Sequence, residues 1–257
     1  MQKIIIGNLK MNLLTIAERD QYLESFKKEL KKSKISDLDV VLCPPAVHVE
    51  NFVKKNKTKN VAIGGQNIFW EDRGSYTGEI SAAMLKNLGA QYVIVGHSER
   101  RKYFSETNVD ANAKIKNALK NGLVPIYCVG ETKEDREAGN ESQVIAEQIV
   151  EGFADISSAK AASIVVAYEP VWAVGSDVIP KSDEIMQVKI LLKRIFADAY
   201  GITVAEKIKV LYGGSVKAAS AKQVCTDAGM DGVLVGRESL IPNEFIKIAE
   251  IINANQF

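Results

Sequence analysis

The sequence predicts a closed parallel (β/α)8 barrel. Three observations carry that expectation: eight short β-branched runs, an amphipathic pattern following each, and polar residues gathered where the runs end. Length alone would permit one barrel or two ordinary domains. Eight strand-helix units in 257 residues, with no Pro-, Ser- or Gly-rich linker between them, favour one barrel domain over residues 1–257 rather than an open six-stranded sheet with a second domain.

The first run, Lys3 to Asn8, holds Ile4-Ile5-Ile6 and is apolar on both faces, as a strand between a barrel interior and a helix layer must be. Leu23, Phe26 and Leu30 then recur at helical spacing. Leu38 to Cys43 and Val61 to Gly65 give the second and third strands, and Tyr92 to His97 the fourth. Gly122 after Asn121 reads as a helix stop before the fifth strand, Val124 to Val129. Ile164 to Glu169 is the sixth. Ser182, with Asp183 and Glu184 behind it, reads as the N-cap of a helix whose buried face is Ile185, Val188, Leu192 and Ile195. Ile208 to Tyr212 and Gly232 to Val235 complete the barrel.

Composition narrows the function classes. With 46% hydrophobic and 25% charged residues the chain can bury a large core. Thirty-three basic against thirty-two acidic residues leave a formal charge of +1, so no global field favours nucleic acid or an anionic membrane, and any anion site must be local. No apolar run approaches the roughly 18 residues a membrane span needs, and no signal-peptide pattern opens the chain, so a cytoplasmic location is expected. Cys43, Cys128 and Cys225 are odd in number, widely spaced and without a CxxC pair, and are expected to be reduced thiols rather than a disulfide framework or a zinc site.

The strand ends carry the chemistry. Asn8 and Lys10 follow strand one, Gln66 and Asn67 strand three, His97 strand four and Glu169 strand six, and in a barrel all converge on the C-terminal face. A lone Glu is more often a surface carboxylate. Glu169, however, leaves a dry core through Val165-Val166-Ala167, and partial desolvation is expected to raise its basicity, suiting a general base. His97 precedes a helix starting near Ser98, whose positive end disfavours imidazolium and leaves a neutral ring able to donate to an oxyanion. Lys10 is placed to meet an anion. His48 has no strand-end position and reads as structural. The turns Gly213-Gly214-Ser215 and Gly236-Arg237, after strands seven and eight, are expected to hold phosphate on free backbone N–H groups, although neither is a Walker or dinucleotide fingerprint.

Gly7-Asn8-Leu9-Lys10-Met11-Asn12, Gly96-His97-Ser98-Glu99-Arg100-Arg101, Cys128-Val129-Gly130-Glu131, the Glu169-Pro170-Val171-Trp172-Ala173-Val174-Gly175 string and Tyr212-Gly213-Gly214-Ser215 occur in this order. In them the chain resembles the triosephosphate isomerase family over essentially its full length. The resemblance implies interconversion of dihydroxyacetone phosphate and D-glyceraldehyde 3-phosphate through an enediolate, a step of glycolysis and gluconeogenesis, with no metal or organic cofactor. It assigns Glu169 the proton transfer, His97 and Asn8 hydrogen bonds to the two substrate oxygens and Lys10 a positive charge, and sets Glu99 beside them. Phosphate would rest on the N–H groups of Gly175, Ser215, Gly236 and Arg237, next to Gly214. Pro170, Val171, Trp172, Ala173, Val174, Gly175 and Ser176 would belong to a lid running to Pro180 that excludes water and suppresses phosphate elimination.

Gln66 to Gly78 is long for a strand-helix connection and carries Phe69, Trp70 and Tyr76, aromatics that need a covering surface, either the chain's own barrel or a partner. The resemblance favours a homodimer, with Thr77 near the neighbour's active site and Glu79 paired with the neighbour's Arg100.

Several positions depart from the family pattern. Leu9 replaces the common Trp, Ser176-Asp177 the usual Thr-Gly, and Arg237 a Gly whose positive φ would strain a larger residue, with its guanidinium either on the phosphate or out in solvent. Pro180 stands where the family's closed lid offers an N–H to the hydroxyl corresponding to Tyr212; proline has none, so Tyr212 is expected to find another partner. Two rival readings are a different sugar-phosphate barrel enzyme, which would not be expected to combine Asn8, Lys10, His97 and Glu169, and a non-catalytic barrel scaffold, which would not need them.

Overall fold

Alternate residues of a strand face opposite sides of its sheet, and here that period sorts the core into two layers. Ile4, Ile6, Val41, Cys43, Ile94, Ile126, Cys128, Val165, Ala167, Leu211 and Leu234 fill the inside of a barrel. Their neighbours Ile5, Val40, Leu42, Val93, Tyr127, Val166 and Val210 face the surrounding helices. The computed structural model describes residues 2–174 and 178–254.

The strands are β1 (Lys3–Asn8), β2 (Leu38–Cys43), β3 (Val61–Gly65), β4 (Tyr92–Val95), β5 (Val124–Val129), β6 (Val165–Tyr168), β7 (Lys209–Tyr212) and β8 (Gly232–Val235). Each pairs in parallel with the next, and β8 closes on β1 with Ile5 opposite Val233, giving an eight-stranded closed barrel. Its helices are α1 (Ile16–Lys32), α2 (Val49–Lys55), α3 (Ala82–Asn87), α4 (Ser98–Phe104), α5 (Asn108–Lys120), α6 (Lys133–Glu137), α7 (Glu141–Gly152), α8 (Ser158–Ala161), α9 (Ser182–Tyr200), α10 (Ile202–Lys207), α11 (Ala218–Ala221) and α12 (Pro242–Ala254). No described helix is long and apolar enough to cross a membrane.

Five strands begin and end where the sequence places them. β4 is two residues shorter at its end, β6 one residue shorter at each end and β7 one residue shorter at its start; β4 stops at Val95 because Gly96, at φ +71°, turns the chain. Gly122 does end α5: at φ +69° it lets Leu123 N–H reach the Ala118 carbonyl at 2.9 Å and its own N–H reach that of Leu119 at 3.2 Å. Ser182 is the first residue of α9 rather than its cap. The entry is closed instead by the Glu184 carboxylate, which accepts the Lys181 N–H at 2.9 Å. Leu9 is fully buried at the base of the Lys10 turn, and Cys43, Cys128 and Cys225 are buried free thiols.

Candidate active site

The strand period sets the site. Ile4 and Ile6 point inward, and so do Val165 and Ala167, Leu211, and Leu234. Continuing each count by two brings Asn8, Glu169, Gly213 and Gly236 to the barrel axis at its C-terminal mouth. They line one pocket there, together with Lys10, His97, Gly214, Ser215 and Arg237.

His97 lies off the period of β4 and reaches the pocket through the turn at Gly96. Its Nδ1 accepts the backbone N–H of Glu99 at 3.2 Å as α4 begins, which directs the ring proton to Nε2. Nε2 faces Glu169 Oε1 at 3.0 Å, and Glu169 Oε2 accepts the Ser98 N–H at 2.9 Å. Both side chains are buried.

This pairing reverses the ionisation expected from burial. Burial alone pushes Glu169 up, but the His97 ring and the Ser98 N–H outweigh it and hold the carboxyl below its ordinary value. Burial pushes His97 down, and the Glu169 charge, helped by Glu99, carries it above its ordinary value against the opposing Lys10 cation. The dry strand end and the helix terminus are legible along the chain; the partner across the barrel is not. Once Glu169 leaves Nε2, burial, Lys10 and the Glu99 N–H favour the neutral, Nε2-protonated ring, and the Glu99 carboxylate opposes them.

Lys10 adopts φ +50°, a left-handed conformation that costs a residue with a side chain about 1 kcal/mol or more. Asn8 Oδ1 accepts its N–H at 3.0 Å, and Gln66 Nε2 donates to its carbonyl at 2.8 Å, so the turn is tied from both sides. The Lys10 ammonium meets Glu99 Oε1 at 2.6 Å. With Asn8 Oδ1 occupied, its amide N–H groups remain to face the pocket.

Glycines admit these side chains. A Cβ at Gly213 would lie 2.9 Å from Glu169 Cγ, one at Gly236 3.3 Å from Lys10 Cε, and one at Gly130 only 1.8 Å from the Glu169 carbonyl. Gly130, Gln66 and the Ser98 N–H are supporting groups: Gly130 and Ser98 stand in the quoted motifs and Gln66 at the end of strand three, but the contacts they make are not legible along the chain.

Within the segment read as a lid, Val171–Ala173 form a 3₁₀ turn. The Trp172 indole N–H donates to Glu131 Oε1 at 2.7 Å, under the Arg136 guanidinium, and the Ala173 carbonyl accepts the Ser215 hydroxyl at 3.1 Å. Val174 lines the pocket; Gly175, Ser176 and Asp177 lie outside the described residues. Among the described residues the buried Tyr212 hydroxyl has no hydrogen-bond partner, so the substitute expected for it is not found there. The Pro180 carbonyl is held instead by Gln223 Nε2 at 3.0 Å. Arg237 opens a 3₁₀ turn with no positive φ, so the strain expected there does not arise. His48 is buried with Nε2 2.7 Å from the Leu13 carbonyl, a structural histidine as read.

A second cavity adjoins the first and shares Asn8, Lys10 and His97 with it. Its outer wall includes Glu79, Arg100, Tyr103 and Phe104. Thr77 and Glu79 are exposed, and Arg100 is bound within its own chain to Glu106, at 2.6 Å. Phe69 packs at a tilt against both Trp70 and Tyr76, at 4.1 and 4.5 Å between ring centroids, yet both of these rings remain exposed.

The family model described as triosephosphate isomerase matches residues 3–252. This chain belongs to the triosephosphate isomerase family. The triosephosphate isomerase of Dictyoglomus turgidum is 43% identical over 95% of this chain and 97% of that protein, and that of Alkaliphilus oremlandii 40% identical over 95% and 97%. The crystal structure of triosephosphate isomerase from Bartonella henselae superposes with a TM-score of 0.87 at 33% identity, covering 98% of this chain and 99% of that one. As a triosephosphate isomerase family member the chain is an enzyme of the aldose-ketose isomerase class, and the Asn8, Lys10, His97 and Glu169 constellation stands where its barrel opens.

Proposed function

We propose that this pocket interconverts dihydroxyacetone phosphate and D-glyceraldehyde 3-phosphate by proton transfer between adjacent carbons, without a cofactor. The observation that carries the reading is the convergence of a buried carboxylate, an Nε2-protonated imidazole and a lysine on one pocket floored by Gly214, Ser215 and Gly236. Substrate enters between His97 and Glu169 and separates them. Glu169, freed from Nε2, takes the proton from one carbon and returns it to the next. As the enediolate forms, His97 Nε2–H and the Asn8 amide donate to its two oxygens, and Lys10 balances the negative charge. Preorganised donors of this kind contribute about 10²–10³ each. The phosphate rests on the backbone N–H groups of Ser215, Gly236 and Arg237, with Gly175 the fourth donor, and the segment from Pro170 to Pro180 closes over it to exclude water.

The active unit in this reading is a cytoplasmic homodimer of single-barrel chains. The second cavity and the exposed Met11, Tyr103 and Phe104 around it offer a seat for the partner's 66–78 loop, which would bring Thr77 of one subunit toward Lys10 of the other and set Glu79 against Arg100. The neighbouring cavity supports this arrangement over a lone barrel, because it opens directly onto the catalytic side chains.

Turnover of dihydroxyacetone phosphate in D2O tests the chemistry. Deuterium at C2 of the aldehyde product, with no incorporation in Glu169→Gln, is the expected result. Isomerisation or exchange that persists undiminished in the variant would remove Glu169 from the role. Sedimentation equilibrium tests the assembly: a monomer at micromolar concentration with full activity would contradict it.

A further inference from the structure

The backbone cradle does not account for the side chain at its rim. Arg237 is exposed yet lines the pocket beside Gly214, Ser215 and Gly236, at a position where the resembling family commonly has glycine. Its backbone is fixed: Ser239 donates its hydroxyl to the Gly236 carbonyl at 2.6 Å and its N–H to the same oxygen at 2.9 Å, and it also reaches the Asn8 carbonyl at 3.1 Å. The turn bearing Arg237 is thereby tied to the strand end bearing Asn8 and Lys10. The side chain is not tied. Lys10 is committed to Glu99, whereas among the described residues Arg237 makes no ion pair and no hydrogen bond, even though Glu238 follows it in sequence and lines the same pocket.

We propose that the Arg237 guanidinium is a phosphate-binding side chain of this site, adding a charge-assisted contact to the neutral N–H cradle. The proposal rests on the isomerase reading for its natural ligand, a phosphate monoester dianion. Three features argue for it over a side chain directed to solvent. The pocket lining sets two carboxylates, Glu169 and Glu238, against the cations Lys10 and Lys217 even before Arg237 is counted, so an uncommitted guanidinium at the rim that faces inward tips the balance toward a dianion. A planar guanidinium matches two phosphate oxygens at once and brings a full positive charge, which the neutral backbone N–H groups do not supply. An exposed guanidinium also needs little desolvation before the ligand arrives, and it has no carboxylate partner to give up.

The consequence is a division of labour. Neutral N–H groups grip phosphate with little dependence on salt; a guanidinium at the rim contributes most at low ionic strength, where the Debye length exceeds the pocket. This chain should therefore bind small phosphorylated ligands more tightly, and with steeper salt dependence, than the same barrel with glycine at 237.

The test is titration of inorganic phosphate into wild type, Arg237→Gly and Arg237→Lys, at low and high ionic strength, by calorimetry. It is run beside KM and kcat for the triose phosphates. The expected result is phosphate affinity about tenfold weaker in Arg237→Gly, partial recovery in Arg237→Lys, and a gap that narrows as salt rises. KM should carry more of the loss than kcat. Equal phosphate affinity in wild type and Arg237→Gly at low salt would overturn the proposal, and because that readout needs no turnover, it decides the matter even if the wild type proves not to isomerise triose phosphates.

Discussion

Nε2 of His97 lies 3.0 Å from Oε1 of Glu169, in the mouth of the barrel with both side chains buried. Base and electrophile thus satisfy each other across the pocket they line. A ligand that parts them must replace an ion-pair-like contact and the Ser98 N–H on the carboxylate, which couples binding to activation of both groups.

The pair makes stability depend on pH in a definite direction. Glu169 is held below its ordinary value of 4.5, so its contribution is present above pH 4.5 and is lost as pH falls through the folded-state value. His97 is raised above 6.5, so its contribution is present below pH 6.5 and is lost as pH rises through the folded-state value. Together they stabilise most between these ordinary values. Melting curves of wild type and Glu169→Gln from acid to alkaline pH should show the greatest wild-type advantage in that interval; a difference that stays flat across the series would contradict the pairing.

Gly213 leaves room for the base. In Gly213→Ala the new Cβ would stand 2.9 Å from Glu169 Cγ and 3.3 Å from the Tyr168 carbonyl, forcing the carboxylate aside. Misplacement of this size costs about 10² in kcat/KM, and overpacking about 1–3 kcal/mol of stability. Steady-state kinetics at matched folding would show it, and wild-type rates would mean that Glu169 need not occupy this position.

Tyr212→Phe should leave turnover within about twofold and leave the melting temperature unchanged or slightly higher. The hydroxyl it removes is buried with no partner among the described residues, and deleting such a group relieves an uncompensated desolvation cost. Pro180 meanwhile keeps its contact with Gln223. A fall in kcat of tenfold or more would reveal a latch role for the hydroxyl despite the missing N–H at position 180.

Beneath the second cavity, Lys114 donates to Glu106 Oε1 at 2.7 Å and to Asn67 Oδ1 at 2.9 Å, with the Lys114 and Glu106 side chains only 4% and 3% exposed. Lys114→Met leaves Glu106 with Arg100 alone. Breaking a buried pair costs about 3–5 kcal/mol, and the surviving Arg100 contact favours the lower end. That corresponds to a fall in melting temperature of about 6–12 °C for a chain of this size. A shift below about 2 °C would show that Arg100 compensates fully.

Much of this site is legible before folding because the barrel translates sequence position into space. A β-branched run such as Val165-Val166-Ala167 declares a strand, and the residue two beyond its last inward side chain must arrive at the mouth; Asn8, Glu169, Gly213 and Gly236 follow that rule. His97 arrives by a turn at Gly96, so its placement depended on the helix that follows. The ionisation directions were not legible, because burial is written along one strand whereas the His97 and Glu169 contact joins two. The same distance hides the Gln66 tie on the Lys10 turn and the approach of Gly130 to the Glu169 carbonyl. The missing N–H of Pro180 is legible in the sequence, but the anchor of its carbonyl, Gln223, lies on another element and has no local signature.

The most direct test of the account is the rate of dihydroxyacetone phosphate and glyceraldehyde 3-phosphate interconversion by wild type against Glu169→Gln, with folding and phosphate affinity checked in both. Loss of the base should lower kcat by about 10²–10⁴ while phosphate still binds. A folded Glu169→Gln enzyme turning over within tenfold of wild type would contradict the claim that this carboxylate moves the proton.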